Sequence, residues 1–319
     1  MIVKRALERL FFVVESVVTA LIYPFCLLRD RLAGQAGIPI LMYHQIGRPV
    51  DGKRFCRDSV SPERFEAQMG ALLEAGYEVV PLSGLVPGPQ GLPREAPGRR
   101  AVLTFDDGYR DQVVNAYPIL RRRRLPATFF LVAGSIGRPD PLPHLSLQDT
   151  DVREGGPASG WLPLAWEEIE MIAAGGIAIG SHGLSHRSLG TMSHEEAEVE
   201  ARRSREILGE RLGIPVDLFA YPFGSEAYGD FDVEIQAILS AAGYRAACTT
   251  VIGRNGGGAD RLALRRIPMQ ERDGPFRVRC KLAGAYDWVG MMKALWQRLV
   301  PREERVEALA IDDAGGQGV

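Results

Sequence analysis

The sequence predicts an α/β fold built on a parallel sheet. Beyond Gly37, short apolar runs alternate with amphipathic stretches along most of the chain. That pattern is typical of repeated strand–helix units, whose parallel strands are joined by right-handed crossovers. The 319 residues are 46% hydrophobic and 24% charged, a composition that supplies ample core for a globular protein. A chain of this length can form one large domain or two smaller ones, and α/β barrels commonly form one.

The predicted elements follow one another after the N-terminal region. Seven apolar runs predict strands, at residues 38–43, 101–105, 127–132, 177–179, 218–221, 245–248 and 261–267. Amphipathic stretches predict helices at residues 61–76, 111–123, 165–174, 193–212, 232–242 and 288–299. Capping signals mark two helix starts, since Ser61 precedes a proline and Ser193 with Glu196 makes a capping box. Residues 87–98 and 134–160, rich in proline and glycine, are predicted to be loops.

Charge and cysteine content narrow the classes of function. The chain has 38 lysines and arginines against 40 acids, which gives a formal net charge of −2 at pH 7. Nucleic-acid-binding domains are usually strongly basic, so we predict no nucleic-acid partner. The four cysteines are scattered and include no C-x-x-C pair, which favours buried thiols over a disulfide framework.

The N-terminal region carries a hydrophobic helix. Residues 10–28 read LFFVVESVVTALIYPFCLL, close to the roughly 20 apolar residues that span a bilayer. Glu15 and Pro24 argue against a clean span, since an acid at bilayer depth costs about 2–3 kcal/mol. A cleaved signal peptide is conceivable, but Arg29 and Arg31 stand where it should be neutral. A helix packed on the domain is a further alternative; we favour membrane association, as an uncleaved anchor or an interfacial helix.

Two adjacent acids follow a predicted strand and are the most informative feature of the chain. Asp106 and Asp107 stand after the apolar run 101–105, and Gly108 allows the sharp turn that brings both carboxylates to the strand end. Like charges held close are costly to desolvate, and a bound cation removes that conflict. One carboxylate could ligate a metal while the other stays free as a general base. A solvated turn has the same composition, and this motif alone leaves both interpretations open.

Two histidines at a second predicted strand end favour the metal site. His182 and His186 have three residues between them, and their imidazoles can bind one metal ion. Gly183 and the absence of a glutamate after His182 argue against the helical motif of zinc proteases. Asp107 (or Asp106) with both histidines would give three protein ligands and an open position for water, the pattern of a catalytic metal site.

Together these motifs resemble those of a known enzyme family. Thr-Phe-Asp-Asp-Gly-Tyr at residues 104–109, followed by Ser-His-x-x-Ser-His at residues 181–186, is similar to the first two motifs of the polysaccharide deacetylases. These form the NodB-homology group of carbohydrate esterase family 4. Residues 126–130 and 221–224 also resemble later strands of the family, and the similarity covers roughly residues 38–270.

The resemblance implies a fold, an activity and a set of residue roles. The implied fold is an α/β, distorted (β/α) barrel of the NodB-homology type that forms a single catalytic domain. The implied activity is metal-dependent removal of N-acetyl groups from amino sugars. By position, Asp106 resembles the general base, and Asp107 resembles the metal ligand beside His182 and His186.

Two departures from the family pattern move two site residues elsewhere in the chain. No arginine stands directly before the Tyr-Pro-Phe-Gly element at residues 221–224, where the chain reads Phe219-Ala220, and no histidine follows His194. Instead, Leu-Met-Tyr-His ends in His44 at a predicted strand end. This resembles the branch that acts on poly-N-acetylglucosamine in biofilm exopolysaccharide systems, where an early element of this kind supplies the acid. Arg266 is then the candidate that orients Asp106, while a satisfied core histidine is the alternative for His44.

The expected chemistry is hydrolysis of an amide, which is a poor electrophile. A metal ion polarises the carbonyl and lowers the pKa of water, and Asp106 takes the proton. A backbone N–H near Phe223 helps to hold the tetrahedral oxyanion, with Tyr221 beside it as a substrate contact. His44, whose ordinary pKa suits neutral pH, protonates the leaving amine. Zn²⁺ is the default metal for histidine and carboxylate ligands, and Ni²⁺, Co²⁺ or Fe²⁺ fit the same donors.

The sequence thus predicts a metal-dependent deacetylase of an N-acetylated glycan from an exopolysaccharide or the cell envelope. We assign residues 1–36 to the hydrophobic helix, 37–283 to the deacetylase domain, and 284–319 to an amphipathic helix and a polar tail. Residues 10–28 predict a membrane or cell-envelope location, with a cytoplasmic one left open. The alternative substrates are a lipid-linked sugar and peptidoglycan. The alternative class is a catalytically silent glycan-binding protein, which the intact Asp106 disfavours.

Overall fold

The structure is a computed structural model that describes residues 2–48, 59–85, 98–142 and 159–299. Nearly all of the loop predicted at residues 87–98 lies outside the described residues. The same holds for more than half of the loop predicted at residues 134–160, and for the predicted polar tail beyond Leu299.

Seven parallel strands close into a barrel within the described part of the chain. The sheet has eight strands in the described residues, seven of which form the ring: β1 (Ile40–Tyr43), β2 (Tyr77–Val79), β3 (Arg99–Phe105), β4 (Thr128–Leu131), β5 (Ala178–Ser181), β6 (Leu218–Ala220), β7 (Ala246–Ile252) and β8 (Leu264–Pro268). Their order is β1-β8-β7-β6-β5-β4-β3-β2, and β1 also pairs with β3, which closes the ring and leaves β2 outside it. In the closing pair, Ile40 lies opposite Val102 and Tyr43 opposite Phe105. The predicted (β/α) barrel is confirmed; the short strand β2 was not predicted.

Helices surround the barrel. They are α1 (Ile2–Ala33), α2 (Pro62–Glu74), α3 (Tyr117–Arg123), α4 (Trp166–Ala174), α5 (His194–Leu212), α6 (Val233–Ala241), α7 (Pro275–Leu282) and α8 (Asp287–Leu299). The Ser61 hydroxyl accepts a hydrogen bond from the Arg64 N–H, and Ser193 and Glu196 form the predicted capping box. Helix α7 was not predicted, and α3 is preceded by one π-helical turn, Gln112–Ala116.

Alternate strand residues face the barrel interior and the surrounding helices. On β8, Leu264 belongs to the interior cluster, whereas Ile267 packs in the helix layer and Arg265 is exposed. Arg266 is fully buried inside the barrel, where its guanidinium lies over the Phe130 ring of β4. The interior of the barrel therefore holds a cation, which requires a partner charge.

Helix α1 turns its polar side toward the domain. Glu15, Thr19, Cys26 and Asp30 recur at helical spacing and are buried. The apolar side chains facing away are between 47% and 80% exposed: Leu10, Phe11, Val13, Val14, Val17, Leu21, Phe25, Leu28 and Leu32. By length and composition alone, Leu10–Ala33 is apolar enough to cross a membrane. The predicted N-terminal hydrophobic helix is thus present, with most of its apolar side chains facing away from the barrel.

Contacts hold α1 against the C-terminal helices over much of its length. Arg277 of α7 donates a hydrogen bond to the Glu15 carboxylate, and Trp288 of α8 donates one to the Thr19 hydroxyl. Farther along, Arg29 donates to a backbone carbonyl just after α7. At 1.5 Å rise per residue, the stretch from Glu15 to Arg29 spans about 21 Å. Helix α1 therefore lies along the domain rather than projecting from it.

Candidate active site

The structure places the acid pair at the carboxyl end of β3. The Asp106 N–H donates to the carbonyl of Tyr43, the last residue of β1, over 2.9 Å. Both aspartate side chains are buried, which excludes the solvated turn that their composition left open. The carboxyl ends of parallel strands share one end of a barrel. The loops after β1, β5 and β6 therefore bring their polar residues to the same place.

The backbone of the site adopts conformations that residues with side chains rarely accept. Among the described residues four non-glycines have positive φ, and three of them are Asp107 (75°), His186 (59°) and Phe223 (62°). Each such conformation costs about 1–3 kcal/mol and persists only where surrounding structure holds it. Gly108, at φ 77°, completes the turn, and a Cβ there would lie 2.8 Å from Leu131 Cδ2. Backbone strain is therefore concentrated on residues that face the site.

Asp107, His182 and His186 bring three metal-ligating atoms together. The Nε2 atoms of His182 and His186 lie 3.4 Å and 3.1 Å from Asp107 Oδ1. One ligand atom from each residue lies within 4.8 Å of the other two. Nδ1 of His182 lies 2.7 Å from the Ala220 carbonyl, which assigns the proton to Nδ1 and leaves the Nε2 lone pair directed at the cluster. Two imidazoles and a carboxylate fit a divalent metal ion.

Asp106 is held by Arg266 and faces His44. Arg266 Nη1 donates to Asp106 Oδ1 over 2.6 Å, and Arg266 Nε donates to the Thr249 carbonyl. His44 Nε2 lies 3.9 Å from the other carboxylate oxygen. Burial acts to raise the pKa of the Asp106 carboxyl, but Arg266 and His182 lower it, and the net shift in pKa is downward. Asp106 is therefore ionised at neutral pH.

Two buried side chains outside the predicted site, Gln112 and Glu200, hold the loops of the site. The Gln112 amide donates to the carbonyls of His44 and Asp106, at 2.8 Å and 2.6 Å, and so ties the ends of β1 and β3 together. Glu200 of α5 accepts hydrogen bonds from the N–H groups of Leu184 and Ser185, between the two histidines. The position of Gln112 just after the acid pair is a usable sequence signal. Nothing in the sequence separates Glu200 from the other acids of its helix.

Tyr221 and Phe223 both border the cavity. The Phe223 ring centroid lies 5.2 Å from that of His186. The Tyr221 side chain is fully buried, and its hydroxyl donates to the Leu262 carbonyl over 2.8 Å. The predicted substrate contact of Tyr221 stays a prediction.

One cavity of about 400 Å³ joins these groups. Its inner part is lined by seven of the predicted site residues: His44, Asp106, Asp107, His182, His186, Tyr221 and Phe223. Arg266 lies behind Asp106, inside the barrel. The cavity thus holds a metal-binding cluster and an ionised carboxylate side by side, an arrangement suited to metal-assisted hydrolysis.

Comparison with known proteins identifies the family. Residues 94–247 match the family model described as polysaccharide deacetylase. The chain carries a polysaccharide deacetylase domain. Enzymes with this domain are hydrolases that remove acetyl groups from carbohydrates, so the predicted family and enzyme class are confirmed. The matched residues include the acid pair and both histidines of the cluster, whereas His44 and Arg266 lie outside them.

Individual relatives agree with the family and the fold. YxkH of Bacillus subtilis, named as a polysaccharide deacetylase, is 27% identical over 242 residues, which cover 73% of this chain and 71% of YxkH. The structure of IcaB from Ammonifex degensii is 23% identical, covers 78% of this chain and 98% of its own, and gives a TM-score of 0.62. The Streptococcus pyogenes deacetylase PplD, in complex with acetate, is 22% identical over 77% of this chain and 98% of its own, with a TM-score of 0.61. The two solved structures share the barrel fold.

Proposed function

We propose that this deacetylase removes N-acetyl groups from an amino-sugar glycan of an exopolysaccharide or the cell envelope, with a divalent metal bound by Asp107, His182 and His186. The observation that carries the proposal is the presence, at one cavity, of that ligand cluster and of Asp106 held by Arg266. A glycan-binding protein needs neither a free base nor a cation to position it. The arrangement therefore favours catalysis over binding alone.

The residues of the chain have separate tasks in the proposed reaction. Asp106, ionised beside Arg266, accepts the proton of the attacking water. His44, which faces the other oxygen of that carboxylate, donates a proton to the amide nitrogen as the C–N bond breaks, so that acetate and a free amine leave. A backbone N–H at Phe223 stabilises the oxyanion of the tetrahedral intermediate.

The metal is proposed from the donor set. When bound, a divalent cation polarises the amide carbonyl and lowers the pKa of water. Zn²⁺ is the first choice, since two imidazoles, one carboxylate and an open position are a common zinc arrangement in hydrolases. Ni²⁺, Co²⁺ and Fe²⁺ accept the same ligands.

The outward-facing side of α1 supports a location at a membrane of the cell envelope. Its apolar side chains form a face along the helix, and only 17% of its apolar window is buried. Because the polar side of α1 is docked on the domain through Glu15, Thr19 and Arg29, we propose an interfacial helix rather than a spanning one. The charged residues stay on the protein side, and the apolar face enters the lipid.

Acetate release tests the reaction. We expect the full-length protein with Zn²⁺ to release acetate and free amines from an N-acetylated glycan such as an N-acetylglucosamine oligomer. After chelation the rate should fall at least about 100-fold, because neither the water nor the carbonyl is activated without the cation. Restoring the metal should restore the rate.

Asp106→Asn and Asp107→Asn are a matched pair of variants for the same assay. We expect Asp106→Asn to bind Zn²⁺ like the wild type and to lose about 100-fold or more in rate, the range of general-base catalysis. Asp107→Asn should lose metal binding itself. Full activity in Asp106→Asn would contradict the assigned base. A metal-loaded wild type that releases no acetate from any N-acetylated glycan would favour the binding-protein alternative.

A further inference from the structure

The outer part of the active-site cavity is built by the two helices that flank the barrel at its chain ends. We call this part the rim; it is lined by Phe11 and Glu15 of α1, by Arg272, and by Val289 and Lys293 of α8. Helices α1 and α8 therefore border the cavity that holds Asp106.

The rim of the cavity and the apolar face of α1 share the Phe11 side chain. Phe11 lines the cavity and is also 56% exposed, in the row of apolar residues that faces away from the domain. Glu15, one helical turn on, is buried and paired with Arg277, which fixes the position of Phe11 relative to the cavity. The pocket opens beside the apolar face rather than on the opposite side of the molecule.

Helices α7 and α8, which both contact α1, also expose apolar side chains. Phe276, at the start of α7, is exposed and lies edge-on against Tyr23 of α1. On α8 the exposed apolar side chains are Met291, Met292, Leu295, Trp296 and Leu299. Soluble monomers seldom expose so many large apolar side chains on neighbouring helices to water.

Charges at the rim match a lipid surface. Arg272 and Lys293 line the cavity where it meets the apolar face. The Arg272 guanidinium lies over the Phe12 ring of α1, 4.7 Å from its centroid, and 3.9 Å from the Glu15 carboxylate. Cations beside an apolar face that enters lipid are the usual arrangement of interfacial proteins, because they meet anionic head groups at the depth where the hydrocarbon begins.

We infer that the enzyme takes its substrate from the membrane: an N-acetylated amino sugar carried on a lipid, whose sugar enters the cavity past Phe11 while its hydrocarbon chain stays in the bilayer. This inference rests on the proposed deacetylase function. An apolar face beside the rim is costly next to a wholly water-soluble polymer, whereas a lipid chain leaving the pocket along α1 contacts that same face. The structure therefore selects the lipid-linked sugar among the substrate classes that the sequence left open.

The experiment presents one sugar in two forms to the full-length, zinc-loaded enzyme. The first probe is a dialkyl glycolipid bearing N-acetylglucosamine, in vesicles of phosphatidylcholine and phosphatidylglycerol. The second is the methyl glycoside of the same sugar, or a soluble N-acetylglucosamine tetramer, with empty vesicles added. We expect kcat/KM for acetate release to be at least tenfold higher on the glycolipid. Equal or faster release from the soluble probes would overturn the inference and leave the deacetylase intact, whereas no release from any probe would overturn both.

A matched pair of variants separates the rim from simple concentration on the vesicle. Phe11→Gln removes the apolar side chain that α1 contributes to the rim. Phe25→Gln removes one from the same face of α1 that is 73% exposed and does not line the cavity. With vesicles in excess, so that each variant is fully bound, Phe11→Gln should lower the glycolipid-to-soluble ratio of kcat/KM several-fold, and Phe25→Gln should leave it unchanged. Identical ratios in the two variants, or a face that makes dimers and binds no vesicles, would contradict the inference.

Discussion

Helices α1 and α5 both bury a glutamate, yet they present opposite surfaces to their surroundings. Glu200 of α5 holds the loop between the two histidines, and Glu15 of α1 pairs with Arg277. The exposed side chains of α5 are nearly all charged or polar: His194, Glu195, Glu196, Glu198, Arg202, Arg203, Glu210 and Arg211, with Val199 as the exception. The outward side chains of α1 are nearly all apolar.

The difference between the outward side chains of α1 and α5 indicates which surroundings each helix contacts. A buried, paired carboxylate is compatible with either surrounding, because its charge is satisfied within the fold. The outward face must match the solvent, and a helix with an apolar outward face and a polar inward one is suited to lipid. We therefore expect the outward face of α5 to contact water and that of α1 to contact a membrane interface.

The largest expected effect comes from removing the ion pair that holds α1 on the domain. Glu15→Gln removes one of the two carboxylates that pair with Arg277 and should lower the free energy of unfolding by about 2 kcal/mol, within the usual range for a hydrogen bond to a charged group. Urea denaturation measures this change. Glu198→Gln on the exposed side of α5 is the control and should change stability by less than about 0.5 kcal/mol. If both variants unfold alike, α1 is not held by Glu15.

The next effect tests the two outward faces directly. Val17→Glu on α1 and Val199→Glu on α5 replace side chains that are 52% and 44% exposed. We expect Val17→Glu to weaken vesicle binding about tenfold, since burying a valine in hydrocarbon contributes about 1.5 kcal/mol. Val199→Glu should bind vesicles like the wild type. Vesicle flotation gives both values, and equal loss in the two variants would erase the distinction between the helices.

The smallest expected effect concerns the N-cap of α5. Ser193 accepts a hydrogen bond from the Glu196 N–H, so Ser193→Ala should cost about 1 kcal/mol in unfolding free energy. Ser193→Asp keeps an N-cap acceptor and should retain most of the stability. Thermal unfolding of the two variants decides the point, and an undiminished midpoint in Ser193→Ala would mean that packing alone holds this helix.

The positions of the acid pair and the histidines could be anticipated from the sequence because they depend on a local rule. Each follows an apolar run, and the carboxyl ends of parallel strands meet at one end of a barrel. The structure accordingly brings Asp107, His182 and His186 together, while their roles in the reaction stay predictions. The N-cap at Ser61, the capping box at Ser193 and most helix bounds were equally local, since capping depends on residues within one turn.

Ring closure and side-chain orientation were decided only by the tertiary structure. Arg266 and Asp106 stand 160 positions apart, and they meet because β8 and β3 both flank β1 when the barrel closes. The hydropathy of residues 10–28 predicted a helix near a membrane, but it did not determine which side of that helix packs on the domain. That was decided by Arg277, on a helix that the sequence did not reveal, because a buried carboxylate must face the cation that compensates it.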